Sequence, residues 1–176
     1  MIFEKTNISG LTILKPEINE DHRGLFARTF CSQEFQENNL EFQIVQASTS
    51  FNSKKGTLRG MHYQIFPHEE IKLVRCTRGS IFDVVIDLRK DSATYKSWFG
   101  LTLSAENRFS LYIPRGFAHG FLTLEDNTEI YYQMSDFFHP NSSRGLRWND
   151  ETFKILWPDQ ISIISDKDQS YSDFRE

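Results

Sequence analysis

Short runs of β-branched and aromatic residues, each closed by a turn signal, recur along this chain and constrain its fold more than any other feature. The runs are LTIL at 11–14, FQIVQAST at 42–49, IKLVRCT at 71–77, SIFDVVIDL at 80–88, SWFGLTLS at 97–104, FSLYIP at 109–114, GFLTL at 120–124 and TEIYYQM at 128–134. Between them stand Arg78-Gly79, Lys90-Asp91-Ser92, Ala105-Glu106-Asn107, Glu125-Asp126-Asn127 and the polar stretch from Pro140 to Gly145. Strands of this length and spacing build a sandwich or a barrel. Eight or more of them suit an all-β jelly-roll barrel. Aromatic residues make up 14% of the chain, as half-buried strands favour. Helix is expected only at SQEFQENN, 32–39, and in a short element of the polar tail after Trp157-Pro158.

No linker, repeat or low-complexity tract interrupts the 176 residues, so a single domain over 1–176 is expected. No apolar run approaches the roughly 18 residues that a membrane span needs. A composition of 39% hydrophobic and 25% charged residues argues against disorder. The formal charge of -4 gives no general drive toward nucleic acid or anionic lipid, and neither is expected as a partner. Cys31 and Cys76 fall in no Cys-x-x-Cys or zinc spacing, and MIFEKTNISG lacks the layout of a secretory leader, which predicts a cytoplasmic location.

Several polar side chains sit where alternation would turn them inward. In TLRGMHYQ at 57–64, Leu58, Gly60, His62 and Gln64 share one face of a strand. His62 is then either a hydrogen-bonded interior imidazole or a proton carrier facing an enclosed space. Lys72 alternates with Val74 and Cys76. It either snorkels from an edge strand or is buried beside a carboxylate or an anionic ligand, because desolvating a lone ammonium is expensive. In SIFDVVIDL the apolar face is Phe82, Val84, Ile86 and Leu88, leaving Asp83 and Asp87 opposite with Ile81 and Val85. Asp83 is thus a candidate buried carboxylate, pairing structurally or orienting a histidine. Tyr132 lies on the apolar face of its strand with Ile130 and Met134. It serves as a core aromatic or, near a histidine and a lysine, as part of an acid/base set.

Pro114-x-Gly116-x-x-His119-Gly120 resembles the second motif of the cupin superfamily, whose histidine often binds a metal. A metal cupin usually has His-x-His in its first motif, whereas His62-Tyr63-Gln64 offers an amide in its place. Glu69 or Glu70 would have to complete a site with His62 and His119, and Lys72 competes for those carboxylates. No metal is expected.

Longer windows carry a fuller resemblance: DHRGLFARTF at 21–30, LRGMHYQ at 58–64, KLVRCTRGSIFDVVIDLR at 72–89, LSAENRFSLYIPRGFAHGF at 103–121, the tyrosine strand, RWND at 147–150, ILWP at 155–158 and SDKDQ at 165–169. From about Gly10 to Asp168 the chain is similar to the dTDP-4-dehydrorhamnose 3,5-epimerase family, jelly-roll cupins that generally work without metal. The resemblance implies that His62 is a general base paired with Asp168, that Tyr132 donates a proton and that Lys72 stands near the sugar C4 oxygen. It also implies that Arg23, Arg59, His119 and Asp83 hold the nucleotide sugar or line its cavity, with Gln46, Phe26 and Phe138 as further substrate contacts. No cofactor is implied. The expected assembly is a homodimer that exchanges N-terminal strands.

The residue types suit that chemistry. A hydrogen next to a ketone is weakly acidic, so removing it needs a positioned base and a group that stabilises the enolate. Inversion then needs a proton from the opposite face, which a neutral phenol can give. The chain departs from the family pattern at Ala27, where a glutamate is usual, at Ser48 for asparagine, at Glu70 for glutamine and at Phe138 for tyrosine. The expected substrate is dTDP-4-dehydro-6-deoxy-D-glucose, inverted at C3 and C5 to dTDP-4-dehydro-L-rhamnose. A mono-epimerase, a non-catalytic sugar-nucleotide binder and a metal-dependent cupin are the alternatives.

Overall fold

The computed structural model describes residues 1–175. In chain order the strands are β1 Ile2–Lys5, β2 Thr12–Lys15, β3 Ile18–Asp21, β4 Gly24–Ala27, β5 Gln46–Asn52, β6 Thr57–Gln64, β7 Lys72–Arg78, β8 Ser80–Asp87, β9 Trp98–Ser104, β10 Ser110–Ile113, β11 Phe117–Thr123, β12 Thr128–Met134, β13 Ser143–Gly145 and β14 Ile163–Ile164. The helices are α1 Ser32–Glu37 and α2 Asp166–Gln169.

One sheet has the order β1-β2-β10-β7-β12-β5 and the other β13-β6-β11-β8-β9, with β14 added in parallel beside β6. From β5 to β12 the chain crosses between sheets at every connection except β8–β9. This is the jelly-roll wrap expected of the strand windows. β3 and β4 form a separate two-stranded hairpin. Among the described residues no helix is long and apolar enough to cross a membrane.

Alternation divides the apolar residues into an inner layer and two outer ones. Val74, Cys76 and Ile130 of the first sheet meet Ile81, Val85, Leu103 and Phe121 of the second inside the barrel. Met61, Val84, Ile86 and Ala118 face outward and are covered by Leu146, Phe153 and Trp157 of the C-terminal segment. Leu14, Leu73 and Tyr112 on the other outer face are covered by Phe35. Helix α1 is too short to persist alone, and its N-cap Cys31 makes no side-chain cap bond. Phe35 holds it instead, with Phe30 at 5.0 Å and Phe3 at 5.5 Å edge to face.

Two local departures from simple alternation bear on the site. The run FQIVQAST enters the sheet only at Gln46, because Phe42 turns away to pack against Phe30 and Phe35. In β6, Gly60 has φ +134° and a Cβ there would stand 2.5 Å from Gly120 Cα, so β6 and β11 approach closely and their register shifts between His119 and Phe121. Leu58 and Met61 are both buried as a result, while Arg59 turns out to solvent. Beyond the shift His62 lies directly across from His119.

Candidate active site

Between the sheets a cavity of about 360 Å³ opens. Its walls are His62, Tyr63 and Gln64 of β6, Lys72 of β7, Gln46 and Ser48 of β5, and Tyr132 and Met134 of β12, with Glu70, Phe138, Ser143 and Lys167 around the rim.

A carboxylate far along the chain orients His62. Pairing of Ile163 with Thr57 and Ile164 with Leu58 lays the C-terminal tail along β6. Ser165 then caps α2 by accepting the Asp168 N–H at 3.1 Å. This turn puts Asp168 Oδ1 2.7 Å from His62 Nε2 and lets Oδ2 accept the Gly60 N–H at 3.1 Å. Burial disfavours ionisation of Asp168, but the His62 hydrogen bond, the imidazole charge and the Gly60 amide together hold its carboxyl below the usual range. A carboxylate only accepts, so Nε2 carries the hydrogen and the lone pair of neutral His62 resides on Nδ1. Such an imidazole can take a proton while Asp168 stabilises the cation that forms.

Tyr132 comes from the other sheet. Its ring packs on the inner core and meets His119 edge to face at 6.2 Å and 75°. Burial, reinforced by the nearby Asp83, pushes its phenol far above the ordinary range despite Arg59 and a hydrogen bond with Ser50. Tyr132 therefore keeps its proton at neutral pH and can serve as a donor. Behind it His119 Nε2 lies 2.7 Å from Asp83 Oδ1 in a second, fully enclosed imidazole–carboxylate pair. Asp83 is 0% exposed, and its Oδ2 has no hydrogen-bond partner.

Lys72 is buried beside a carboxylate, the second of its two sequence readings. Its Nζ lies 3.1 Å from Glu70 Oε1, with the side chains 14% and 12% exposed. The Gln64 amide donates to Glu70 Oε2 at 3.3 Å.

The structure thus gathers His62, Lys72, Tyr132, Gln46 and Phe138 around one space, with Asp168 behind His62. Gln46 Oε1 accepts the Phe138 N–H at 3.2 Å, tying two of them together. His119 and Asp83, expected to face the cavity, lie behind its wall because Tyr132 covers them. Arg59 is also off the lining and donates to Asn52 Oδ1 at 2.7 Å. Arg23 and Phe26 sit on the β3–β4 hairpin, Arg23 paired with Asp21 at 2.6 Å and Phe26 74% exposed. Lys167 and Ser143 are lining residues that the sequence reading passed over, although Lys167 adjoins Asp168 in the chain. The ligands that a metal cupin would need are otherwise engaged, and among the described residues His62, His119, Glu69 and Glu70 form no ligand cluster.

A family model for dTDP-4-dehydrorhamnose 3,5-epimerase matches residues 5–176. The chain belongs to the dTDP-4-dehydrorhamnose 3,5-epimerase family. It is 45% identical to the family member named dTDP-4-dehydrorhamnose 3,5-epimerase from Methanothermobacter thermautotrophicus, over 99% of this chain and 95% of that protein. A crystal structure of the Legionella pneumophila dTDP-6-deoxy-D-glucose-3,5-epimerase in complex with dTDP-4-keto-L-rhamnose superposes with a TM-score of 0.90 at 36% identity, covering 97% of this chain and 90% of that one. The family fold also hosts a 3'-monoepimerase from Streptomyces bikiniensis, solved in complex with dTDP-quinovose, with a TM-score of 0.90 at 30% identity over 97% of this chain and 86% of that one.

Proposed function

We propose that this protein is a 3,5-epimerase that converts dTDP-4-dehydro-6-deoxy-D-glucose to dTDP-4-dehydro-L-rhamnose by proton transfer next to the C4 ketone. One observation carries the reading: a carboxylate-backed imidazole, His62, and a neutral phenol, Tyr132, stand on opposite sheets and line the same cavity. A sugar ring between those walls has one face toward the base and the other toward the acid.

In this reading His62 Nδ1 takes the proton from C3 or C5, and the electron pair of that C–H bond moves into the enolate. The C4 oxygen gains negative charge, which the Lys72 ammonium stabilises. Tyr132 delivers a proton to the opposite face, and solvent restores both residues to their starting states. Neither step uses a cofactor. Gln46 and Phe138 contact the nucleotide sugar at the rim, with Lys167 as a further cation for its diphosphate.

Arg23 and Phe26, contributed by a second subunit, complete the proposed substrate site, while His119 and Asp83 back Tyr132 from behind the cavity wall and Arg59 is held by Asn52 off the lining. The support is the hairpin that carries Arg23 and Phe26, which stands apart from both main sheets and exposes Ile18, Leu25 and Phe26. A homodimer exchanging its N-terminal strands would bury that apolar surface and bring Arg23 toward the partner's cavity. Residues 1–176 act as one domain in this account, and the cytoplasm is its location. Sedimentation of the purified chain tests the dimer: a monomer at micromolar concentration overturns that part.

Proton NMR of the substrate in deuterium oxide tests the reaction. Loss of both the C3 and C5 signals with formation of the inverted sugar is expected. Loss of one signal alone would establish a mono-epimerase, a second reading favoured by Phe138 in place of the usual tyrosine. Tight binding with no exchange at either carbon would make the protein a non-catalytic binder.

A further inference from the structure

The ring of Tyr171 lies against His62, with centroids 5.9 Å apart and planes inclined by 71°. Tyr171 is not part of the cavity wall. It reaches the imidazole from the C-terminal tail, three residues beyond Asp168.

A gap in the sheet makes room for it. Gly145 of β13 is the direct antiparallel partner of His62 in β6. Residues paired in this way project their side chains from the same face, with Cβ atoms about 4.5–5.5 Å apart. A side chain at position 145 would therefore stand beside the imidazole. Glycine leaves that place open, and Tyr171 fills it: a Cβ at position 145 would overlap Tyr171 Cε2 and Cζ, and its three nearest atoms all belong to that ring. The tyrosine thus stands in for the missing cross-strand neighbour of His62.

The tail beyond α2 is clamped so that the ring stays in place. Arg147 Nε donates to the Tyr171 carbonyl at 3.3 Å and pairs with Asp173 Oδ1 at 3.0 Å. The Phe174 N–H donates to the Asp150 carboxylate, and the Phe174 ring packs edge to face on Phe153 with centroids 5.3 Å apart. Arg147 and Asp150 follow Gly145 closely in the chain, so one segment both leaves the gap and holds the tail over it.

The contact bears on which atom of His62 faces the substrate. The terminal torsion of a histidine is broad and roughly two-fold. Half a turn of the ring would exchange Nδ1 with Cδ2 and withdraw Nε2 from Asp168. With its side chain 40% exposed, His62 is not confined by the cavity alone. The Asp168 hydrogen bond restrains one end of the ring, and Tyr171 packs against the ring itself. We propose that Tyr171 is a positioning residue that keeps the His62 imidazole turned with Nδ1 toward the substrate, and that residue 145 must lack a side chain for it to do so. This role presupposes that His62 is the base.

Two substitutions remove the contact by independent routes. Tyr171→Ala deletes the ring, and Gly145→Ala displaces it, since the Gly145 backbone lies outside the left-handed region and accepts alanine. In each, deuterium entry from solvent at C3 and C5 of the sugar should slow by about 10–100-fold with KM changed little, because a misplacement of about 1 Å costs up to about 10²-fold. Tyr171→Phe should restore the rate lost in Tyr171→Ala. The Gly145→Ala/Tyr171→Ala double variant should be no slower than Tyr171→Ala, as expected of two changes acting through one contact. Histidine-ring NMR of the substrate-free protein gives a readout apart from activity: in both single variants the His62 ring signals should shift and show a second orientation. The Gly60 amide, which donates to Asp168, should stay protected from exchange, showing that the tail remains seated. Parent-like deuterium entry and unchanged His62 signals in Tyr171→Ala would overturn the proposal while leaving His62 as the base. Loss of Gly60 protection in both variants would overturn it too, reducing Tyr171 to a tail anchor. No exchange in the parent would overturn the reaction instead, and the ring signals would then decide the contact on their own.

Discussion

Asp168 reaches back 106 residues along the chain to touch His62, and the same carboxylate also holds the Gly60 amide two residues before that histidine. The orientation of His62 therefore depends on the C-terminal tail being seated along β6. Asp168→Asn keeps the size but loses the charge that stabilises a protonated imidazole. The expected result is a fall in kcat of about 10²–10⁴-fold with KM changed little, as when the aspartate of a catalytic triad is removed. Steady-state kinetics together with the rate of solvent deuterium entry into the sugar check this. An unchanged kcat in a folded variant would remove Asp168 from the mechanism.

Tyr132→Phe separates proton removal from inversion. The ring still covers His119, so the fold should persist. Exchange of the sugar's acidic hydrogens by His62 should continue in deuterium oxide, while inverted product falls by about 10²-fold or more, the usual contribution of a general acid. If inversion kept the parent rate, the donor would be another group.

The Lys72–Glu70 pair allows charge pairing to be separated from catalysis. Both side chains retain slight solvent contact, so the cost of breaking the pair should fall below the roughly 3–5 kcal/mol of a fully buried one. Lys72→Met alone strands Glu70 and should destabilise the fold by about 1–3 kcal/mol. Adding Glu70→Gln should recover most of that loss, read as the denaturation midpoint. Activity should stay low in both, because neither variant has an ammonium for the C4 oxygen. Recovery of activity with stability in the double variant would contradict the role given to Lys72.

Asp87 sets an acid limit on stability. It is fully buried at the end of β8 and accepts from Arg89 Nε at 2.8 Å, Ser92 Oγ at 2.6 Å and Thr94 Oγ1 at 2.7 Å. Burial pushes its pKa up, but those donors outweigh it and hold the carboxyl at about 2, below the ordinary 3.8. A lowered folded-state pKa adds stability that is complete above the unfolded value and lost as pH falls through the folded one. That window runs from 3.8 down to about 2, and the stability involved is on the order of 2 kcal/mol. Asp87→Asn should flatten this part of the acid-denaturation profile and lower stability at neutral pH. A profile with the parent's slope between pH 4 and 2 would refute it.

What could be read in advance depended on whether a residue sits in a periodic apolar strand. Asp83 was legible as buried because Ile81 and Val85 flank it on the inward face, and the structure puts all three there. β3 and β4 gave no such signal, since nearly every residue in them is exposed and no apolar period marks them. Asp168 lies in a polar tail where composition suggests only solvent, so its pairing with His62 followed from family resemblance and not from pattern. Regular alternation over the stretch 57–64 would keep one face throughout, but the displacement at Gly60 interrupts it. His68 and His139 lie in separate connecting segments, and only folding brings them together.

The contact between Gly60 and Gly120 also bears on how this enzyme can change over evolutionary time. A Cβ on either glycine would meet backbone within 3 Å, so the spacing of the strands that carry His62 and His119 is set by main chain and cannot be adjusted in small side-chain steps. The rim has no such restriction. Ser48, Glu70 and Phe138, where the chain departs from the usual family residues, all line the cavity away from that contact. New substrate preferences can accumulate at those positions one substitution at a time, while the proton-transfer geometry is inherited unchanged.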